Sequence, residues 1–418
     1  SDLKEGSFYT IKQLWSPVQI MNTSVDKQFD GKFSVENRYD FLNLNTCRFL
    51  WKQVKFPTAT DASNTTAQVL KQGEVQGSDV AAHSAGVLDI KTTILPDADA
   101  LFLTAIDRYG HELWRWTFPV NKLNQANEVL SPLSNKVTST ETENELTVKA
   151  KNHTFIFSKK DGQLKGVSVN NRKISFANGP RFIGARRADR SLDQFYNHDD
   201  EKAKEKDRTY SEFPDAAVFT KLDVKEDGGN LIVTADYKLG NLDKVQWTIN
   251  PNGEAVLDYT YNFSGVVDLM GICFDYPEDQ VISKRWLGAG PYRVWQNRIH
   301  GTQYDVWEND YNDPIPGETF TYPEFKGYFG SVSWMNIRTK EGTISLTNET
   351  PDAYIGVYQP RDGRDRLLYT LPESGISVLN VIPPVRNKVN STDLCGPSSQ
   401  PKWVNGPQSG RIIFRFME

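Results

Sequence analysis

Cysteine is nearly absent: Cys47, Cys273 and Cys395 stand alone, no C-x-x-C occurs, and only 5 histidines are scattered along the chain. A disulfide framework and a zinc site both need such residues in close sets, so neither is expected. Long apolar runs are missing too, with no stretch of 18 apolar residues and a mean hydropathy of −0.54, which argues against a helical membrane span. Positive charge is in deficit, since 48 Lys and Arg face 53 Asp and Glu for a net charge of −5. Such a chain is a poor match for a phosphate backbone, so neither nucleic acid nor membrane is an expected partner. Convincing helix is scarce. The best candidate, Asp199 to Arg208, is nearly all charge with no apolar face, and reads as a solvated loop.

What is present is aromatic residues in quantity and period-two patterning. The 418 residues include 10 Trp, 17 Tyr and 22 Phe, which excludes full disorder and suffices for two to three domains. Phe33, Val35, Tyr39 and Phe41 alternate with Ser34, Glu36, Arg38 and Asp40. Cys47, Phe49 and Trp51 repeat the pattern, followed by Leu101, Leu103 and Ala105 and by Trp114, Trp116 and Phe118. Short alternating runs separated by turn-rich stretches predict an antiparallel β-sandwich of immunoglobulin-like size over 25–120, after a lead-in at 1–24. A composition shift over 121–143, rich in Asn, Ser, Pro and Thr, predicts a linker. Beyond it, Thr154 to Ser158, Asp161-Gly162, Leu164 to Val169 and Asn170-Asn171 read as strand, turn, strand, turn. Leu231 to Tyr237, Val245 to Ile249, Leu257-Tyr259-Tyr261-Phe263 and Arg411 to Phe416 continue the pattern, so 144–418 predicts one large, many-stranded sandwich. The fold class expected is all-β.

Several chemical motifs can be weighed. Gly288-Ala289-Gly290-Pro291 is half a dinucleotide fingerprint, but Arg293 replaces the third Gly and Pro291 removes an amide, so a tight turn is expected. No G-x-S-x-G accompanies His111, His153 or His300, which read as structural. Asp305, Glu308, Asp310 and Asp313 form a dense acidic run without the glycine of an EF-hand loop. They are weak candidates for holding Ca²⁺, Na⁺ or Mg²⁺, and no other cofactor is expected. Glycoside hydrolysis needs two facing carboxylates, but with 53 acids the sequence selects no pair. The remaining signal is the crowd of rings over 286–329, including Trp286, Tyr292, Trp295, Trp307 and Tyr328, interleaved with acids, amides and Arg. Rings can pack on sugar C–H faces while polar groups take hydroxyls, or they can simply pack a core.

The same stretch resembles a known family. Trp286-Leu287-Gly288-Ala289-Gly290-Pro291, Arg298, Trp307-Glu308-Asn309, Pro316-Gly317-Glu318 and Tyr322-Pro323-Glu324-Phe325-Lys326-Gly327 look like the last domain of glycoside hydrolase family 2 β-galactosidases. The hairpin at 155–174 is similar too. Ile11 to Val18 and Val35 to Phe41 look like the junction after the family's catalytic barrel and its next domain. The resemblance implies a galactose-mutarotase-like supersandwich after an immunoglobulin-like domain. It also implies that the catalytic glutamates lie in a (β/α)₈ barrel, for which this chain has no strand–helix alternation. No catalytic residue is therefore assigned. Best-known bacterial members follow the W-L-G-x-G-P turn with E-N-Y-x-D-R. Here Arg293, Val294, Trp295, Asn297 and Arg298 stand, and only the last Arg is kept. Those members also turn a Trp from a late loop toward the sugar. Thr392 to Pro397 has none, and Trp403 follows a few residues on.

The carbohydrate-binding candidates are thus Trp295, Arg298, Trp307, Glu324 and Trp403. The expectation is the non-catalytic carboxyl-terminal part of a terminal-β-galactoside hydrolase, supporting the barrel and shaping the sugar pocket. Its partners would be that barrel, a carbohydrate and a second copy of itself. A free-standing carbohydrate-binding or scaffold protein is the alternative, and an aldose epimerase a more distant one, since only His300 neighbours the aromatic stretch. The start at Ser1 suggests a removed targeting segment or a piece of a longer bacterial protein, and leaves periplasm, exterior and cytoplasm open.

Overall fold

Alternating apolar residues become antiparallel strands along nearly the whole chain, and the fold is all-β. The computed structural model describes residues 6–61, 66–120, 136–187, 210–214, 216–311, 327–357, 371–384 and 396–418. The highly charged stretch Asp199 to Arg208 and most of the expected linker lie outside the described residues. The chain divides into two compact units. The first is Ser1–Asn127 with Leu287–Tyr292 and His300–Trp307, and the second is Glu128–Trp286 with Arg293–Ile299 and Glu308–Glu418.

The first unit opens with a helix, α1 (Gly6–Leu14), where only a lead-in was expected. Its strands are β1 (Val18–Ile20), β2 (Lys32–Asn37), β3 (Arg48–Lys55), β4 (Gln68–Gln76), β5 (Ser84–Asp89), β6 (Ala100–Ile106) and β7 (Glu112–Pro119). They form a sheet of order β1-β2-β5 and another of order β4-β3-β6-β7. One core joins the two sheets: Val18, Phe33, Val35 and Leu88 from the first meet Phe49, Trp51, Leu101, Leu103 and Phe118 from the second. The rings of Phe33 and Phe118 are 5.1 Å apart across it. The expected stripe stops early, for Phe41 is 94% exposed. The reason is Asn37. Its buried side chain accepts from Tyr39 N at 3.0 Å and donates to the carbonyls of Leu42 and Val80 at 2.9 Å, which closes an Asx turn and ends β2.

The second unit supplies a ten-stranded sheet. Its strands are β8 (Thr138–Glu141), β9 (Glu145–Ala150), β10 (His153–Ser158), β11 (Leu164–Val169), β12 (Arg172–Ile174), β13 (Ala177–Arg187), β14 (Tyr210–Glu212), β19 (Leu269–Asp275), β24 (Tyr354–Gly356) and β25 (Ile376–Val381). A nine-stranded sheet holds β15 (Val218–Asp227), β16 (Asn230–Lys238), β17 (Leu242–Ile249), β18 (Ala255–Val267), β20 (Val281–Gly290), β21 (Gln303–Asp310), β22 (Trp334–Thr339), β23 (Gly342–Asn348) and β26 (Lys402–Met417). Strand β8 thus begins inside the stretch expected to be linker. The hairpin from Thr154 to Val169 forms as its turn residues predict, with Thr154 opposite Ser168.

Aromatic side chains fill the space between these sheets. Phe155 and Phe157 on β10, Phe274 on β19 and Phe176 point to one side, and Trp247 on β17 with Phe414 and Phe416 on β26 point to the other. Phe176 lies 4.5 Å from Phe274 and 5.1 Å from Phe414, and Trp247 lies 6.0 Å from both Phe274 and Phe414. Gly288-Ala289-Gly290 is not the expected turn but the end of strand β20, with the bend at Pro291. Small residues are needed there because a Cβ on Gly290 would lie 2.5 Å from Trp307 Cδ1.

Truncating Trp247, which is 1% exposed, should cost about 4 kcal/mol, read as a lowered urea midpoint at unchanged slope. His153 supplies a second test. Its Nε2 bonds the Phe416 carbonyl at 2.8 Å across the two sheets, and its Nδ1 has no hydrogen-bond partner in the described structure. Burial outweighs the bond to Phe416 and lowers the imidazole's basicity, with Lys151 acting in the same direction as burial. The folded state therefore keeps His153 neutral where the unfolded chain would already be protonated. Its contribution is complete above the ordinary value of about 6.5 and is lost as pH falls below it. Stability should decline as pH falls below about 6.5, and His153→Gln should flatten that decline. An identical slope in the variant would place the effect elsewhere.

Candidate functional site

Most of the rings marked by sequence serve the interior. Trp295 is 2% exposed, and its ring meets the Tyr328 edge at 5.4 Å within a core that includes Ile183, Leu269 and Leu379. Trp286 and Phe329 are fully buried against each other at 4.9 Å. Arg298 is half-buried, its backbone paired with that of Trp295. Trp307 is half-buried in the first unit, where its Nε1 donates to the Gln303 carbonyl at 3.0 Å. Glu324 and Asp313 lie outside the described residues. Trp403 is the one large candidate ring that faces solvent, at 71% exposure.

The acidic run does not converge. Extended strand β21 sends Asp305 to one face and Glu308 and Asp310 to the other. Asp305 is taken up by Arg115, with Nη2 3.0 Å from Oδ2, and that guanidinium also sits 4.7 Å over the Phe102 ring. Burial raises the Asp305 carboxyl, and Arg115 offsets part of the rise. Among the described residues no set of three His, Cys, Asp or Glu could hold a metal ion. The pair borders a cleft of about 420 Å³ on the outer face of the β3–β6 sheet, floored by Leu50, Val54, Phe102 and Ile106.

A second, more polar cleft of about 300 Å³ opens in the second unit where β13, β19 and the approach to β25 end. Lys173, Asn178, Asp275, Glu278 and Glu373 line it. Asp275 is held rigidly: Arg181 Nη2 lies 2.7 Å from Oδ1, and Asn178 Nδ2 donates to Oδ2 at 2.6 Å. Burial alone would raise its carboxyl, but Arg181 and Asn178 outweigh burial and keep it below the usual carboxylate range. Glu278 is steadied by the Tyr311 hydroxyl at 2.6 Å. Behind the cleft, Glu341 accepts from Ser175 N at 2.9 Å, from Ser175 Oγ at 2.6 Å and from Tyr276 at 3.2 Å.

Asp275 is arranged to accept hydrogen bonds, not to give a proton. A general acid needs a raised pKa, and Asp275 is moved the opposite way. The raised carboxyls of known position, Asp99 and Asp305, are engaged structurally, Asp99 accepting from Phe56 N at 2.8 Å. Sequence reading missed this cleft because its three walls, around Lys173 to Asn178, Asp275 to Glu278 and Glu373, are far apart along the chain. The one local hint was Asn178-Gly179, a turn dipeptide with Asn178 at φ 51°. Replacing Arg181 with Ala should let the Asp275 carboxyl rise, read as an upward shift in its carboxyl NMR titration. An unmoved titration would assign the low value to Asn178 alone.

Comparison with known proteins places the chain. A family model described as beta galactosidase small chain matches residues 149–381, more than half of the sequence. No curated protein matches. Among solved structures, a galactose 1-epimerase from Lactobacillus acidophilus aligns at 10% identity over 68% of this chain and 98% of its own, with a TM-score of 0.38. A GalM/aldose epimerase homologue from C. elegans aligns at 8% identity over 67% of this chain and 99% of its own, with a TM-score of 0.33. On the family match, which includes the hairpin at 155–174, the 286–311 segment and strands of both large sheets, the chain belongs to the β-galactosidase small chain family.

Proposed function

We propose that this chain is the non-catalytic carboxyl-terminal part of a glycoside hydrolase family 2 β-galactosidase. In the intact protein it buttresses the catalytic barrel and shapes the rim of the pocket for a terminal β-galactoside. The match to the small-chain family over 149–381 carries this reading. Two further observations support it. In the polar cleft Asp275 is held as a carboxylate by Arg181, and in the other cleft Asp305 is paired with Arg115, so the acid and nucleophile of a retaining glycosidase are sought in the barrel. The seven strands of the first unit, split over two sheets, suit an immunoglobulin-like domain.

Helix α1 bears on the barrel as partner. Tyr9 packs at a tilt against Tyr292 with ring centroids 5.2 Å apart, Lys12 pairs with Glu112 at 2.7 Å, and Gln13 accepts from Gly301 N at 2.7 Å, so that face is occupied within the first unit. Ile11 and Leu14 are about half exposed, and Trp15 just beyond them is 80% exposed. Residues three and four apart share a helix face, so an apolar stripe is left open to water. A neighbouring body such as the barrel would cover it.

The chain alone should not hydrolyse a chromogenic β-galactoside above the buffer rate. Co-expression with a barrel-bearing fragment should restore turnover. The double change Ile11→Asp and Trp15→Asp should abolish that restoration while leaving the thermal midpoint of the chain itself unchanged. Substantial hydrolysis by the chain on its own would overturn the reading.

A further inference from the structure

The outer face of the β18–β26 ribbon carries chemistry that neither the fold nor the barrel reading uses. Strand β26 pairs with β18 over its first ten residues and beyond, with Trp403 opposite Val266, Asn405 opposite Ser264, Pro407 opposite Asn262 and Ser409 opposite Thr260. Even-numbered residues of β26, such as Ile412, Phe414 and Phe416, fill the core, so the odd-numbered ones face away from it. On β18 the inward residues are Tyr259, Tyr261 and Phe263, which leaves Thr260, Asn262 and Ser264 outside. The result is an exposed row of neutral amides and hydroxyls with one bare indole at its end.

The row is internally ordered yet not saturated. Ser264 Oγ donates to Asn405 Oδ1 at 2.8 Å, and the Thr260 and Ser409 hydroxyls are 3.0 Å apart. The Asn405 Nδ2 and the whole Asn262 side-chain amide make no hydrogen bond to other described residues, so their donors and acceptors are available. Ionised groups are absent from the ribbon's outer face between Trp403 and Ser409, and the next pair, Asp258 with Arg411, neutralises itself through two contacts of 2.9 Å. A nucleic acid would require a row of cations, and a protein partner a broader apolar patch. An uncharged sugar chain requires what is here: a ring for its C–H face, and amides and hydroxyls that both give and accept hydrogen bonds. From Trp403 to Ser409 the strand advances roughly 20 Å, longer than one sugar ring, so the fit is to an extended chain and not to a monosaccharide.

We propose that this face is a glycan-binding surface that takes an uncharged oligo- or polysaccharide chain, with Trp403 as its stacking platform and Asn405, Ser264 and Asn262 as hydroxyl partners. It would hold the protein to a polymeric substrate while chemistry proceeds elsewhere.

Native affinity electrophoresis of the full 418-residue chain, in gels containing soluble β-1,4-galactan, arabinogalactan or xyloglucan, tests it. At least one polymer should retard the chain, and excess free galactose should not release it. Trp403→Ala should weaken retention about tenfold, in keeping with the loss of one ring contact. Asn405→Ala should weaken it several-fold and serves as the second variant if Trp403→Ala lowers the thermal midpoint. Free migration in all three gels would overturn the proposal. So would equal retardation of both variants, or release by galactose, which would locate binding in a terminal-sugar pocket. Hydrolysis is not read in this assay, so failure here leaves the barrel reading untouched, and failure of that reading leaves this result standing.

Discussion

The layer of rings between the two large sheets is the constraint on which the second unit depends. Phe155, Phe157, Phe176 and Phe274 on one side can leave water only if Trp247, Phe414 and Phe416 close on them from the other. Each of these side chains removes a large apolar area from water, and stacked or edge-on contacts add to that burial. Because strand side chains alternate, burying one face of each sheet assigns the opposite face to solvent. The ring layer therefore decides which residues of β18 and β26 are left facing water. It also sets the positions of the ends of β13 and β19, and with them the Arg181–Asp275–Asn178 network that borders the polar cleft.

The electrostatics of the clefts follow from the same economy. A carboxylate at the margin of a core is tolerated when a cation and an amide satisfy it, and the partners then fix it in place. Asp275 and Asp305 are both placed this way, yet their carboxyls move in opposite directions. Arg181 and Asn178 outweigh burial at Asp275, whereas burial outweighs Arg115 at Asp305. In the first unit the Arg115 guanidinium also covers Phe102, so the ion pair closes an apolar surface as well as its own charges. Both carboxylates are thereby tied to a neighbouring guanidinium.

Much of the architecture was legible in the order of residues. Period-two patterns at 47–51, 154–169 and 257–263 appear as strands in the expected places, because a strand half in water records its two faces in alternate side chains. The same logic failed at Phe41, where one hydrogen-bonding Asn at position 37 ended the strand before the pattern did. It failed again at Gly288 to Gly290, where glycines that look like a turn instead admit a tryptophan ring beside an extended backbone.

The aromatic stretch shows where such reading stops. Trp295 and Trp403 are the same side chain in comparably polar sequence, yet one is 2% and the other 71% exposed. Local sequence by itself determined the strands, their turns, the all-β class and the motifs of a sugar-processing family, since each of these rests on residues near one another in the chain. Tertiary structure alone decided which rings are core and which are free, and which acids share a cleft. Those outcomes depend on partners brought from far along the chain, as Phe416 is to His153 and Asp275 to Arg181, and burial is a property of the whole packed assembly of strands and not of any segment.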